Sequence, residues 1–545
     1  MRRSRLIAPH DSRRPNSLPL VLVTLAALVA SISSLWNGFA ADGVQLVQSD
    51  NRVHSLARIP AHFEDAYWPA VTLGPDGRLY RPLTQTAATL QWVAGDGRPL
   101  VFHLGSVVLY VGVALLVLAL TRRFLPEGPA TAAAVLFAAH PLHTEAVANV
   151  TGQGELLAAI PLILAAVFYL DGRRAGFSLR RIWTIVALYF LACLAKEHAV
   201  VFPVLLLAVE IALGPGGRRL RQTGSLMARL VGAAILYLGI RTAVLGGIVG
   251  DLPHPFWWSA GFSTRLETML GLVPRGLTLL LWPAHLQADY TPAEFSLATG
   301  FHIPQLFGLA LLGLAGMLAV AAFRAGRPAI AAGVGWLVLG LAPVSNLLTP
   351  TGLLLAERAL FLPSVGLVLA LGGLLQWGTD SPGRARVIAG VVAVLAVLGM
   401  VRSARRQPVW RDNTTLFRQS IVDAPLSYWA WRNWAGDLVR QDRSAEAETA
   451  YRRSLELWSR DPQVFDDFAN FNRRMGRCDQ AVPLFRKALE LDSSRNLAAA
   501  RLIGCLVSLR DYASARSEAD ARIAAGRKEF KLLREMIDRA EASRR

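Results

Sequence analysis

Apolar residues along this chain come in blocks about 20 long, separated by short polar connections rich in arginine. The first block runs from about Ser17 to Trp36, and others centre near 101–121, 129–144, 153–170, 182–195, 198–213, 227–247, 303–323, 329–347, 361–377 and 387–401. A helix rising 1.5 Å per residue needs about 20 apolar residues to cross the hydrocarbon layer, whereas barrel strands repeat about every 10. The pattern therefore predicts an all-α, polytopic helical bundle of about 11 spans. The segment 264–282 (RLETMLGLVPRGLTLLLWP) is the odd one. If it crossed once, every later arginine cluster would change sides, so it is predicted as a re-entrant or interfacial helix broken at Pro274.

Composition sharpens this picture. The 545 residues are 53% hydrophobic and only 18% charged, with mean hydropathy +0.37. That excludes disorder, collagen and a small disulfide scaffold. The 57 Lys and Arg against 39 Asp and Glu leave a net charge of +18, which in a soluble protein would suggest nucleic acid. Here the arginines cluster between apolar blocks: Arg122-Arg123, Arg173-Arg174 with Arg180-Arg181, Arg218-Arg219 with Arg221, Arg324 with Arg327, and Arg384 with Arg386. Such clusters orient a membrane protein with that side in the cytoplasm, so no nucleic-acid partner is expected. Arg2, Arg3, Arg5, Arg13 and Arg14 place residue 1 inside as well. The first block resembles a signal peptide, but Ala40-Ala41-Asp42 is a poor cleavage site, and an uncleaved first helix is expected. Three cysteines define no disulfide framework. Cys478 and Cys505 are read as small core residues, or as a pair if their part faces an oxidising compartment.

After Arg402 hydropathy falls, and the chain repeats. Ala447, Ala481 and Ala515 are spaced by 34, as are Tyr451 and Phe485, Leu455 and Leu489, and Ala435 and Ala469. That period, with small and aromatic residues at fixed offsets, is the tetratricopeptide (TPR) signature of stacked helix pairs. The predicted organisation is a transmembrane domain 1–402 containing an external loop 37–99, a linker 403–426, and a TPR α-solenoid 427–545.

Polar groups beside spans are costly in a membrane and hence informative. They gather in Asn37-Gly38-Phe39-Ala40-Ala41-Asp42; in Tyr80-Arg81-Pro82-Leu83-Thr84; in His140-Pro141-Leu142-His143-Thr144-Glu145 with Thr151-Gly152-Gln153-Gly154-Glu155; in Lys196-Glu197-His198; and in Ala356-Glu357-Arg358. By the arginine topology all five lie on the outer side.

Five such motifs in this order, followed by the repeats, resemble the transmembrane and TPR-repeat protein O-mannosyltransferases. The resemblance covers nearly the whole chain and is most specific in HPLHTEAVANVTGQGELLA, then in YRPLT and AERALFLPSVG. It implies a GT-C-type glycosyltransferase fold, a polyprenyl-phosphate sugar donor, and transfer on the luminal or periplasmic face to a protein hydroxyl presented through the repeats. It also implies a pattern like N-G-F-x-x-D-D in the first external loop. Asp42 matches the first Asp of that pattern and Gly43 replaces the second; Gln153 stands where the family usually carries Arg.

The chemistry of such a transfer assigns the candidates. A carboxylate near the membrane surface suits a general base, and Asp42 takes that role, with Asp50, Glu64 and Asp65 as substitutes in the same loop. Arg81, Arg358 and Lys196 are candidates for the donor phosphate. Tyr80, His140, His143, Glu145, Glu155, Glu197 and Glu357 are candidates for holding substrate, and Asp289-Tyr290 matches a further family pattern. His140, His143 and Glu145 do not converge on one ion by their spacing, so no metal or other cofactor is expected. No phosphate-binding G-x-x-x-x-G-K-[ST] loop or soluble nucleotide-sugar domain is visible, which favours a lipid-linked donor. Membrane lipids and a protein acceptor are the implied partners. A non-catalytic TPR scaffold, or an enzyme of the same fold acting on a lipid or glycan, are the alternatives.

Overall fold

A computed structural model of the chain describes residues 17–69, 79–214, 219–247, 255–258, 260–378 and 381–543. Arg2, Arg3, Arg5, Arg13, Arg14 and Arg218 of the predicted charge pattern lie outside them, as do residues 544–545 of the repeats. Among the described residues all regular structure is helical. The chain divides into two compact units, one built from residues 1–251, 261–288 and 298–416, the other from 252–260, 289–297 and 417–545.

In the first unit seven helical segments are long and apolar enough to cross a membrane: Leu18–Trp36, Pro99–Thr121, Val150–Ala175, Gln222–Leu245, Ile303–Arg324, Glu357–Gly378 and Pro382–Trp410. The four other predicted spans form shorter helices, Glu127–Ala138, Leu179–Ala195, Phe202–Leu213 and Pro328–Gly340. Proline sets several starts: Pro82, Pro99, Pro328 and Pro382 each occupy the first helical position, where a missing N–H costs nothing. Pro274 does not break its segment, as expected from sequence, but sits inside one continuous helix, Phe262–Leu281. Its charged residues Arg265, Glu267 and Arg275 keep that helix from the apolarity of a span.

The helices share one apolar core, from Val23 through Tyr110, Leu162 and Phe202 to Val368. Small residues let backbones meet in it. A Cβ on Gly333 would lie 2.6 Å from the Gly366 carbonyl, and one on Gly366 would lie 2.5 Å from the Gly333 carbonyl, so the Pro328–Gly340 and Phe361–Gly378 helices touch main chain to main chain. Conversely Leu306, Phe307, Leu314, Met317 and Phe323 stand exposed along one helix, and Val387, Val391, Val394 and Leu398 along another. Water would penalise so much bare apolar surface, and lipid does not, so this unit is an integral membrane bundle. Two predicted orienting arginines are ion-paired: Arg123 with Asp171 at 2.8 Å and Arg173 with Glu210 at 2.7 Å.

The second unit repeats in space as in sequence. Helices begin at Tyr428, Pro462, Asn496 and Phe530, and their partners at Ser444, Cys478 and Tyr512, each series stepping by 34 residues. Ala435, Ala447, Ala469, Ala481, Ala515 and Phe485 are fully buried between them. Cys478 and Cys505 join in a disulfide across the Cys478–Leu491 and Asn496–Ser508 helices, rather than merely packing. Asp289 belongs to this unit and accepts a hydrogen bond from the Ser427 hydroxyl at 2.8 Å.

Candidate active site

Helix ends of the first unit bring most of the sequence-predicted residues together. Arg81 precedes Pro82, which holds it out of the helical region. Its guanidinium forks onto Glu197 through Nε (2.8 Å) and Nη2 (2.5 Å). Lys196 is extended (φ −156°, ψ 134°) between the Leu179–Ala195 helix and the Glu197–Val201 turn, so adjacent side chains diverge. Glu197 goes to Arg81, while Lys196 pairs with Glu155, and His198 lies 3.5 Å from the other Glu155 oxygen. Thr84 ties these ends together by donating to the Ala195 carbonyl at 2.8 Å.

A second knot lies at Glu145. Its carboxylate accepts the Arg358 backbone N–H at 2.8 Å and pairs with the Arg358 guanidinium. The adjacent Glu357 turns away and accepts from the Gln287 backbone N–H at 2.5 Å. Gly152 makes the geometry possible. A Cβ there would meet the Glu145 carbonyl at 2.7 Å and the Ala146 carbonyl at 2.8 Å, so only glycine lets the two glutamate-bearing turns approach this closely.

Asp42 differs from all of these. Among the described residues it makes no hydrogen bond and no ion pair, yet it sits half-buried in the field of Arg358 and Arg81. Burial pushes its carboxyl above the ordinary aspartate value, and the two guanidinium charges offset only part of that rise. For Glu197 the balance is reversed: burial raises the carboxyl, but the Arg81 fork, the Lys196 charge and a backbone hydrogen bond together hold it below the usual range. Burial pulls the Lys196 ammonium down, against the opposing pull of Glu155. Arg358 retains two nitrogens, Nε and Nη2, with no hydrogen bond among the described residues. The arrangement thus holds one uncommitted carboxylate beside guanidinium donors with spare capacity, chemistry suited to taking a proton near a bound anion.

The remaining candidates are placed differently. Tyr80 is buried and donates to the Phe63 carbonyl at 3.1 Å. His140 accepts from the Leu142 N–H through Nδ1 (3.2 Å), which leaves Nε2 to donate to the Leu280 carbonyl (2.9 Å). His143 lies between the Tyr110 hydroxyl and the Ser364 hydroxyl, each at 3.0 Å. Both rings are therefore fully engaged within the fold. Asp50 pairs with Arg52 at 2.7 Å, and that guanidinium in turn donates to the Ala66 and Tyr67 carbonyls. Gln153 joins Gln91, Ser106 and the Phe102 carbonyl in a closed amide network. Gly43 has an ordinary helical backbone (φ −62°, ψ −31°), and a Cβ there would make only van der Waals contact with Val150 and Phe39. The fold itself does not demand glycine at that position.

Sequence reasoning missed Tyr67. Its ring stacks on the Arg81 guanidinium, 5.1 Å from centroid to Cζ, and burial pushes its phenol up to about 12. The aromatic run Tyr67-Trp68 in an otherwise polar loop was the available signal.

No known protein-family profile matches the chain. Mouse protein O-mannosyl-transferase TMTC3 is 25% identical over 467 residues, covering 80% of this chain and 50% of the relative. The human TMTC3 protein is 26% identical, covering 82% and 51%. Drosophila melanogaster Tmtc1 is 28% identical, covering 79% and 60%. The chain spans about half the length of the mouse and human relatives it matches. Among solved structures, the Archaeoglobus fulgidus oligosaccharyltransferase AglB, bound to an inhibitory peptide and a dolichol-phosphate, aligns with TM-score 0.46 and 13% identity over 76% of this chain and 59% of its own. Along about four-fifths of its length, then, the chain is similar in sequence to the protein O-mannosyl-transferases.

Proposed function

We propose that this chain is a GT-C-type membrane glycosyltransferase moving a hexose, mannose by resemblance, from a polyprenyl-phosphate donor to a protein Ser or Thr hydroxyl. The observation that carries the reading is Asp42: an unpaired carboxylate in a cluster where Glu145, Glu155 and Glu197 each already have a cation. In the reaction the acceptor oxygen attacks the anomeric carbon as the carbon–oxygen bond to phosphate breaks, with inversion. The acceptor proton goes to Asp42, and the electron pair leaves on the polyprenyl phosphate. Arg358, with free N–H groups, and Arg81 stabilise that leaving charge. Glu197 and Glu145 hold the two guanidiniums in place, and Lys196 with Glu155 fixes the turn between them.

The reaction belongs on the non-cytoplasmic face. Arginine clusters mark the opposite ends of the spans, and the Cys478–Cys505 disulfide suits an oxidising compartment for the 427–545 TPR repeats, which would present the acceptor. A non-catalytic scaffold has one observation in its favour, namely that Arg81, Lys196 and Arg358 are each already paired with a carboxylate. Purified protein incubated with polyprenyl-phosphate mannose, polyprenyl-phosphate glucose and GDP-mannose separates the readings. Release of polyprenyl phosphate supports the proposal, consumption of the nucleotide sugar alone contradicts the donor class, and inertness toward all three favours the scaffold.

A further inference from the structure

The loop that bears Asp42 is braced by residues 407–413 at the end of the last long helix. The Asn37 amide donates to the Gln407 carbonyl (2.9 Å), and the Gly38 N–H donates to the Arg411 carbonyl (2.8 Å). The third contact is a side chain: Asn413 Oδ1 accepts the Ala41 N–H at 2.7 Å. Ala41 is itself strained, with φ +48° in the left-handed region that alanine disfavours. It is the first central residue of a turn closed by the Gly43 N–H on the Ala40 carbonyl (3.0 Å), and Asp42 is the second. The orientation of the Asp42 carboxylate therefore depends on an unfavourable backbone angle at its neighbour, whose N–H is held by one side chain distant in sequence and whose carbonyl accepts the Val44 N–H at 3.1 Å. Asn413 is free to do this because Asp412 supplies the cap of its helix, accepting the Thr415 N–H at 2.7 Å.

We infer that Asn413 is a positioning residue: by holding Ala41 left-handed it aims the Asp42 carboxylate at the acceptor. The inference rests on the reading of Asp42 as base, and the test keeps the two apart. Turnover is followed as release of polyprenyl phosphate from polyprenyl-phosphate mannose, and amide exchange is followed in the peptide covering residues 37–49. Asn413→Ala should lower kcat about fivefold to tenfold, the effect of one lost hydrogen bond, with KM for the donor unchanged and exchange of that peptide accelerated. Asn413→Asp, which keeps the acceptor oxygen, should restore both. Ala41→Gly, which removes the backbone strain, should restore kcat in the Asn413→Ala background.

Loss of kcat that neither Asn413→Asp nor Ala41→Gly repairs would make Asn413 merely structural and overturn the inference. Wild-type kcat and wild-type exchange in Asn413→Ala would overturn it as well. If instead Asp42→Asn retains full turnover, the base is misassigned, while the exchange result still decides whether Asn413 holds the loop.

Discussion

At the scale of single residues, the site is a set of paired charges around one that is not. The proposed base, Asp42, can take a proton only when ionised, and its pKa is raised by burial. The limb of kcat/KM that falls with acid should therefore lie above the range of an ordinary aspartate, about 3.9. The same shift has a stability side. A carboxyl whose folded pKa is raised supports the fold most when protonated, and that support is lost as pH rises through the folded value. A limb at or below the ordinary value would mean that another group is titrating. For Arg358, whose free nitrogens are proposed to bind the donor phosphate, Arg358→Ala should weaken donor binding by about 2–5 kcal/mol if the contact is desolvated. Equilibrium binding of polyprenyl-phosphate mannose measures this directly, and wild-type affinity would remove Arg358 from the donor site.

At the scale of elements, apolar block length was legible because lipid imposes it, and each predicted span is a helix in the structure. What could not be read was how short helices finish. Glu127–Ala138 and Phe202–Leu213 stop well before spanning length, and single-turn helices at Pro141–His143 and Glu197–Val201 supply the remaining residues. Those turns decide which charges meet. Period and hydropathy identify Lys196-Glu197 as an expensive pair, but only the extended backbone at Lys196 sends the two side chains to different partners. The same limit hid the burial of His140 and His143, since their partners Leu280 and Ser364 lie 140 and 221 residues away. One consequence is testable. Lys196 and Glu155 form a buried pair, so Lys196→Met should destabilise the bundle by about 3–5 kcal/mol through the stranded carboxylate. Adding Glu155→Leu should recover most of that loss in detergent-solubilised unfolding, and a double variant no better than the single would show that the pair is not what holds this turn.

At the scale of the molecule, a lipid-embedded unit and a helix-repeat unit share one chain, and each was foreshadowed by its own periodicity: blocks of span length in one, a 34-residue step in the other. The proposed placement of the repeats on the non-cytoplasmic side rests on the Cys478–Cys505 disulfide and on the arginine asymmetry of the spans. A reporter active only outside the cytoplasm, fused after Arg545, should be active there; activity of a cytoplasmic reporter at that point instead would reverse the topology. The central claim is that these helix ends assemble a glycosyl-transfer site around one carboxylate, and it is tested most directly by turnover of polyprenyl-phosphate mannose in Asp42→Asn beside the wild type. The substitution keeps the size and removes the proton acceptor. The account predicts a fall of about 10²–10⁴-fold in kcat with donor affinity little changed; wild-type turnover in Asp42→Asn would contradict it.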